Sequence, residues 1–371
     1  MRHAPDAPAT LAGHLRRFAA ESCAGEPLYR ALAGLIAERP LLLELLNAAP
    51  PPQRGSTLLL AGLHDRLLEL AERGQALPAL AAYFPSVGGE RLPDGALADA
   101  LDDFAATELG PWRDRVATRT TQTNEAGRSA VLWPALAAIA ARHGNRPLAL
   151  FDFGCSAGLN LLVDRVTVDF GDEPVGAADP AAPRLACRLV GPGRPPRTPW
   201  RLATRLGVDR APIALDDAPG LRWLRACLWP SERERAARFE QALALARAAR
   251  HPVRRADDGL AVLADWLGTL PPQVTPVLFN SWVLAYFAPD ELARHVERVH
   301  TLVQRYRLVW LSAEDAHRLA ATTGLAATAA TAEPGTSTWW ALTEPDDRRG
   351  VRSSLLARSH PHGAWLEWRA G

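Results

Sequence analysis

The sequence predicts an α/β protein in which a mostly parallel sheet ends in an antiparallel hairpin and follows an all-helical N-terminal domain. Three observations predict it. Residues 8–119 place apolar side chains at helical spacing without a strand pattern. From Leu148 onward, short apolar runs alternate with helical stretches, the rhythm of parallel strands joined by helical crossovers. Residues 336–343, 353–358 and 364–368 then read as antiparallel strands separated by turns. The expected division is a helical domain over 1–119 and an α/β domain over 120–371.

In the helical part, Leu11, Leu15 and Phe18 form one stripe and Leu28, Leu32 and Leu35 another. The clearest helix covers 56–73, with Leu60, Leu63, Leu67 and Leu70 on one side and Gly74 as its stop. Asp94 caps a helix over 96–109, which Gly110-Pro111 is expected to break before a short segment resumes to Val116. The polar run 118–128 leads into a long helix over 124–143, with Thr123 or Asn124 as cap and Leu132, Leu136 and Ile139 inward. Pro134 is expected to bend or split that helix.

The first strand is expected over 148–153, followed by a glycine loop and a helix opened by Leu159, Leu161 and Leu162. Residues 166–170 and 184–190 read as an inserted hairpin, and 204–208 as the second strand of the main sheet. Residues 221–229 read as helical, and Ser231 caps a helix reaching Arg250. Strands over 252–256, 274–279 and 308–311 alternate with a helix opening near Pro289.

Composition narrows the function. The formal net charge is +1, so no overall field draws the chain to nucleic acid or an anionic membrane. All of its basic residues are arginine, which together with abundant alanine reads as a composition bias. Cys23, Cys155, Cys187 and Cys227 are too scattered for a metal site or a disulfide framework. Neither a leader at residues 1–5 nor a membrane-length apolar run is visible, so a cytoplasmic protein with a small-molecule substrate is expected; oligomeric state stays open.

The most informative stretch is 152–160, Asp-Phe-Gly-Cys-Ser-Ala-Gly-Leu-Asn. Asp152 stands at the carboxyl end of a strand, and Gly154 and Gly158 let the backbone approach a ligand. Asp-x-Gly-x-x-x-Gly resembles the first motif of class I S-adenosylmethionine-dependent methyltransferases. That resemblance implies a Rossmann-like sheet, with Asp152, Gly154, Ser156, Gly158 and Asn160 around the cofactor. An acid after the second strand (Asp209, with Asp169 as competitor) would take the ribose, and Asp257 after the third the adenine. The same letters also spell Gly-x-Ser-x-Gly, the elbow of a serine hydrolase with Ser156 as nucleophile. Against it stand the helical residues 1–145, where that fold needs earlier strands, and the missing His-Gly-Gly-type loop.

Other segments add candidates. Asn280 and Ser281, after the fourth strand, are candidate catalytic groups, with Trp282 and Tyr286 forming an aromatic wall if the segment is helical. Asn124, Glu125 and Arg128 suit acceptor binding, Arg128 as a clamp for an anion. His360, in the His-Pro-His-Gly turn of the terminal hairpin, is a candidate base. His64, set among leucines, reads as a partnered packing residue.

Residues 121–130, 154–160, 279–286 and 360–368 together resemble the bacterial DUF2332 family over nearly the whole chain. The resemblance implies a methyltransferase-like fold and no particular substrate. Around 207–216 the family pattern carries an Asn and a second Asp where this chain has Ala211 and Ala214. The preferred expectation is an S-adenosylmethionine-dependent methyltransferase acting on a small anionic acceptor; a serine hydrolase and a non-catalytic binding protein of the same fold are the alternatives.

Overall fold

The computed structural model describes residues 7–370 apart from 24, 123, 180, 326–336 and 349. Thr123, the N-terminal residues 1–5 and Thr336 therefore lie outside the described residues. The chain forms two compact units, one of residues 1–123 with 216–237, the other of 124–215 with 238–371.

The first unit is helical. Its helices are α1 (Pro8–Arg17), α2 (Pro27–Ala37), α3 (Pro40–Leu43), α4 (Ser56–Glu72) and α5 (Leu97–Thr118), with a π-helical turn over Phe18–Ser22 after α1 and 3-10 turns between α3 and α5. Leu59, Leu63 and Leu67 of α4 pack with Leu101, Phe104 and Trp112 of α5 in a fully buried core. Gly110-Pro111 does not break α5, contrary to expectation. Pro111 forfeits one hydrogen bond at a cost of about 3 kcal/mol. Burial of Trp112 and Val116 beyond it offsets that at about 1.5–3 kcal/mol each, and the Trp112 indole donates to the Leu59 carbonyl at 2.8 Å. Ionic contacts lie beside this core: Arg115 pairs with Asp65 at 2.6 Å, and Arg222 reaches Asp65 at 3.1 Å and Glu72 at 3.0 Å.

His64 is buried as expected, its Nδ1 bonding the Ala226 carbonyl and its Nε2 the Ser86 hydroxyl. Ser231, expected as a helix cap, instead donates its hydroxyl to Glu26.

The second unit contains α6 (Ser129–Arg142), then β1 (Leu148–Phe153), β2 (Thr167–Asp169), β3 (Val175–Gly176), β4 (Arg184–Ala186), β5 (Arg188–Val190) and β6 (Leu202–Asp209). Two helices follow in the chain, α7 (Ala218–Ala226) of the first unit and α8 (Arg233–Ala249). The rest is β7 (Val253–Arg255), α9 (Gly259–Leu267), β8 (Thr275–Ser281), α10 (Pro289–Tyr306), β9 (Val309–Glu314), α11 (Ala316–Thr323), β10 (Thr338–Asp346), β11 (Gly350–Ser359) and β12 (Trp365–Trp368).

The main sheet has nine strands in the order β5-β12-β11-β10-β9-β8-β1-β6-β7, and β9 through β7 are mutually parallel. Counted by appearance, those five parallel strands run 5-4-1-2-3, so the order reverses at β1. Alternation along β1 and β8 sends Leu148, Leu150, Val277 and Phe279 towards α6 and Phe151 and Leu278 towards α9 and α10. Two helical layers thus cover the sheet.

Three local expectations fail. Residues 166–170 and 184–190 make no hairpin: β2 and β4 pair in parallel in a separate three-stranded sheet, and β5 joins β12 at the edge of the main sheet. Helix α6 starts at Ser129, and Pro134 does not split it, because Ser129 to Ala140 are buried throughout and packing outweighs one missing bond. The segment after the glycine loop, Leu159–Arg165, is a 3-10 helix rather than an α-helix.

Candidate functional site

The site grows from the carboxyl ends of β1 and β6, where open parallel sheets bind ligands. Asp152 is fully buried and accepts from Asn160 Nδ2 at 3.2 Å. Burial pushes its carboxyl up to about 7; the Asn160 bond and the Arg128 charge pull the other way, while Asp209 adds to the rise. Gly154 and Gly158 both adopt left-handed backbone, φ +75° and +73°. The Gly154 N–H donates to the Val208 carbonyl at 2.8 Å, which ties the loop to β6.

Ser156 occupies the apex with φ +52°. Its N–H donates to Asp209 Oδ2 at 2.8 Å, and Asp209 Oδ1 accepts the Ala211 N–H at 2.8 Å. Asn124 donates its side-chain amide to the Ser156 hydroxyl. An amide nitrogen carries no lone pair for a proton, so Asn124 cannot serve Ser156 as a base. Asp169, the competitor of Asp209, is taken up by Arg184 at 2.8 Å and the Gly171 N–H in the small sheet.

The turn before α6 is capped not by Asn124 but by Glu125, whose Oε1 accepts the Gly127 N–H at 2.9 Å; Thr123, the other expected cap, lies outside the described residues. Arg128 is buried, and its Nε donates to the Pro361 carbonyl at 3.2 Å. The terminal turn interlocks with this one. A Cβ on Gly127 would sit 2.3 Å from the His362 carbonyl oxygen, and one on Gly363 would sit 2.0 Å from that of Gly127. His360 Nδ1 accepts the His362 N–H at 3.0 Å, and the two rings meet edge to face at 5.2 Å.

Asn280 and Ser281 belong to the end of β8 rather than to a following loop. The Asn280 amide is spent inside the sheet: Nδ2 donates to Ser312 and Glu314, and Oδ1 accepts from Trp310 at 2.6 Å. Ser281 Oγ is buried with no hydrogen-bond partner among the described residues. The expected aromatic wall is not built. Trp282 is left-handed at φ +56° and bonds Thr338, while Tyr286 ends a separate 3-10 turn and is 46 % exposed. Asp257 is exposed, whereas its neighbour Asp258 caps α9 and pairs with Arg298.

A cavity of about 320 Å³ lies beside the loop, lined by Gly158, Leu162, Ile213, His251 and Val253 among others. Among the described residues no group of three His, Cys, Asp or Glu could hold a metal ion, and no helix is long and apolar enough to cross a membrane. Sequence reading missed Glu314 and Val283. The strand ending in Glu314 was expected to stop at residue 311, which concealed an acid at a strand end, and Val283 carries no chemical signal at all.

A family model described as "Uncharacterized protein conserved in bacteria (DUF2332)" matches residues 12–368. The chain belongs to the DUF2332 family. No curated protein matches it.

The four DUF2332-like segments, distant in sequence, meet in space. Asn124 joins the first to the second through Ser156. Gly127 and Arg128 join the first to the fourth through His362 and Pro361. Gly154 joins the second to the third, since its Cβ would lie 2.4 Å from Val283 Cγ2.

Proposed function

We propose that this DUF2332 protein binds S-adenosylmethionine at the glycine loop and methylates a small anionic acceptor. The observation that carries the reading is the meeting of the four segments around Ser156, at the reversal point of the parallel strands. A Rossmann-like methyltransferase sheet, following an N-terminal helical domain in the sequence, is the fold that goes with it.

The residues present fit the cofactor. Asp152 is a buried carboxyl short of positive charge, which an ammonium group would supply. Each Asp209 oxygen takes one backbone N–H and keeps a lone pair for a hydroxyl. The cavity walled by Ala157, Ile213 and Val253 suits a flat apolar ring. When bound, the cofactor supplies an electrophilic methyl group on a sulfonium.

The chain's own work is then alignment and exclusion of water. Asn124 and Asp209 fix Ser156 from opposite sides, which holds the loop in one shape. Arg128 brings a fixed positive charge beside it, suited to an acceptor carboxylate or phosphate. His360, in the turn interlocked with that of Arg128, serves as the candidate base.

Calorimetric titration with S-adenosylhomocysteine tests this. Binding in the micromolar range is expected for the parent and at least about tenfold weaker binding for Asp152→Asn, which keeps the shape and removes the charge. A parent that does not bind overturns the reading.

A further inference from the structure

Glu314 closes β9 with a fully buried side chain. Its Oε1 accepts three N–H donors: Asn280 Nδ2 at 2.8 Å and the backbone amides of Val283 and Leu284 at 3.1 and 3.2 Å. Its Oε2 is buried and meets no hydrogen-bond partner among the described residues. The two amides follow Trp282, whose left-handed backbone turns the chain sharply out of β8. Val283 then lies directly on the glycine loop, in the space that a Cβ on Gly154 would need. One carboxyl thus connects the ends of β8 and β9 with the first glycine of the site.

We propose that Glu314 is a positioning residue: by gripping the amides of Val283 and Leu284 it seats Val283 on Gly154 and holds the glycine loop in its ligand-binding shape. The grip is made by a neutral carboxylic acid. Three donors converge on Oε1 as on a carbonyl, and the proton resides on Oε2, where a buried negative charge would have no donor. Burial pushes this carboxyl up to about 7 against the pull of the three donors, and the Asp315 charge adds to the rise. His295 and His300, whose rings each lie 6.2 Å from that of Trp310, are both pulled down by burial and are neutral near pH 7. Local opening lets the carboxyl reach water and ionise, so the grip weakens as the pH climbs from the ordinary carboxyl range through about 7. The step from loop shape to ligand binding rests on the cofactor reading above; the grip itself does not.

Hydrogen exchange of the full chain tests it, following peptides over 154–158 and 282–287 between about pH 4 and 8 with intrinsic rates divided out. Glu314→Ala is expected to exchange at least about tenfold faster in both peptides. Glu314→Gln keeps the carbonyl acceptor, so it should match the parent at the acid end and lack the parent's loosening at the alkaline end. Asp152 titrates in the same range beneath the loop, contributes equally to parent and Glu314→Gln, and cancels in their difference. Should Glu314→Ala not fold, Val283→Ala replaces it and is expected to loosen 154–158 while keeping the parental pH dependence.

Unchanged exchange over 154–158 in the alanine variants, or a Glu314→Gln profile identical to the parent's, overturns the grip. S-adenosylhomocysteine titration of the same proteins separates the two claims. Parental binding that weakens at least about tenfold in Val283→Ala supports the link. Equal binding by both, with a loosened loop, overturns it. No parental binding overturns the cofactor reading and leaves the exchange result to decide the grip alone.

Discussion

The Asn124 side-chain amide is hydrogen-bonded to the Ser156 hydroxyl across 32 residues of sequence, and the Ser156 N–H is in turn held by Asp209. The apex of the glycine loop is therefore clamped from two sides by residues belonging to two different segments. Removing either clamp should act on the loop before it acts on the sheet.

Asn124→Ala removes one hydrogen-bond partner from the buried Ser156 hydroxyl. A stability loss of about 1–2 kcal/mol in chemical denaturation is expected, together with weaker S-adenosylhomocysteine binding. Ser156→Gly should cost less stability, because glycine accepts φ +52° without strain and partly offsets the lost bond.

The interlocked turns offer a sharp contrast between glycines. Gly363 and Gly144 have similar backbones, φ +76° and +71°, but a Cβ on Gly144 meets nothing within 4 Å. Gly144→Ala should cost about 1 kcal/mol from backbone conformation alone. Gly363→Ala adds a collision with the Gly127 carbonyl and should cost about 2–3 kcal/mol more, as read from paired urea unfolding curves.

Buried carboxyls and buried imidazoles should pull stability in opposite directions over the same pH range. Asp152 and Glu314 are both raised to about 7, so their contribution is complete below the ordinary carboxyl range and is lost as pH climbs through 7. His64 and His295 are both lowered to about 4 by burial, so theirs is complete above about 6.5 and is lost as pH falls towards 4. Thermal melts of Asp152→Asn should therefore fall off less, or rise more, than the parent's as the pH climbs from about 4 to 7.

In the helical unit, Asp65 is almost inaccessible between Arg115 and Arg222. Asp65→Ala removes one buried carboxylate from two guanidinium groups that keep Glu69 and Glu72, and should cost about 1.5–3 kcal/mol. The exposed pair Asp290–Arg294 is the control: Asp290→Ala should change stability by less than about 1 kcal/mol. Comparable losses in both would remove the distinction.

Much of this was legible from residue order. Short apolar runs located β1, β6 and β8, and leucines at helical spacing located α4, because these elements are built largely of buried apolar residues. The glycine loop, Asp152, Asp209 and Asn124 were legible through residue types that few other backbones require. Pro111 misled because its local penalty is smaller than the burial of Trp112 and Val116 beyond it, a quantity fixed only by α4 opposite. The hairpin reading of 166–190 failed because pairing partners in sheets are non-local: β5 found β12, far along the chain. Glu314 and Val283 were hidden for the same reason, since their roles exist only once β8, β9 and the loop are adjacent.

The short 3-10 segment Leu159–Arg165 has a consequence for which cofactors can be accommodated. Nucleotide folds that hold a pyrophosphate set it against the positive end of a long α-helix opening directly after the glycines. Here that end is missing, and two carboxylates, Asp152 and Asp209, stand at the strand ends instead. Polyanionic dinucleotides would meet repulsion without a compensating dipole. If the proposed cofactor reading holds, the loop would discriminate by sign, disfavouring phosphorylated carriers and favouring an amino-acid-like, positively charged one.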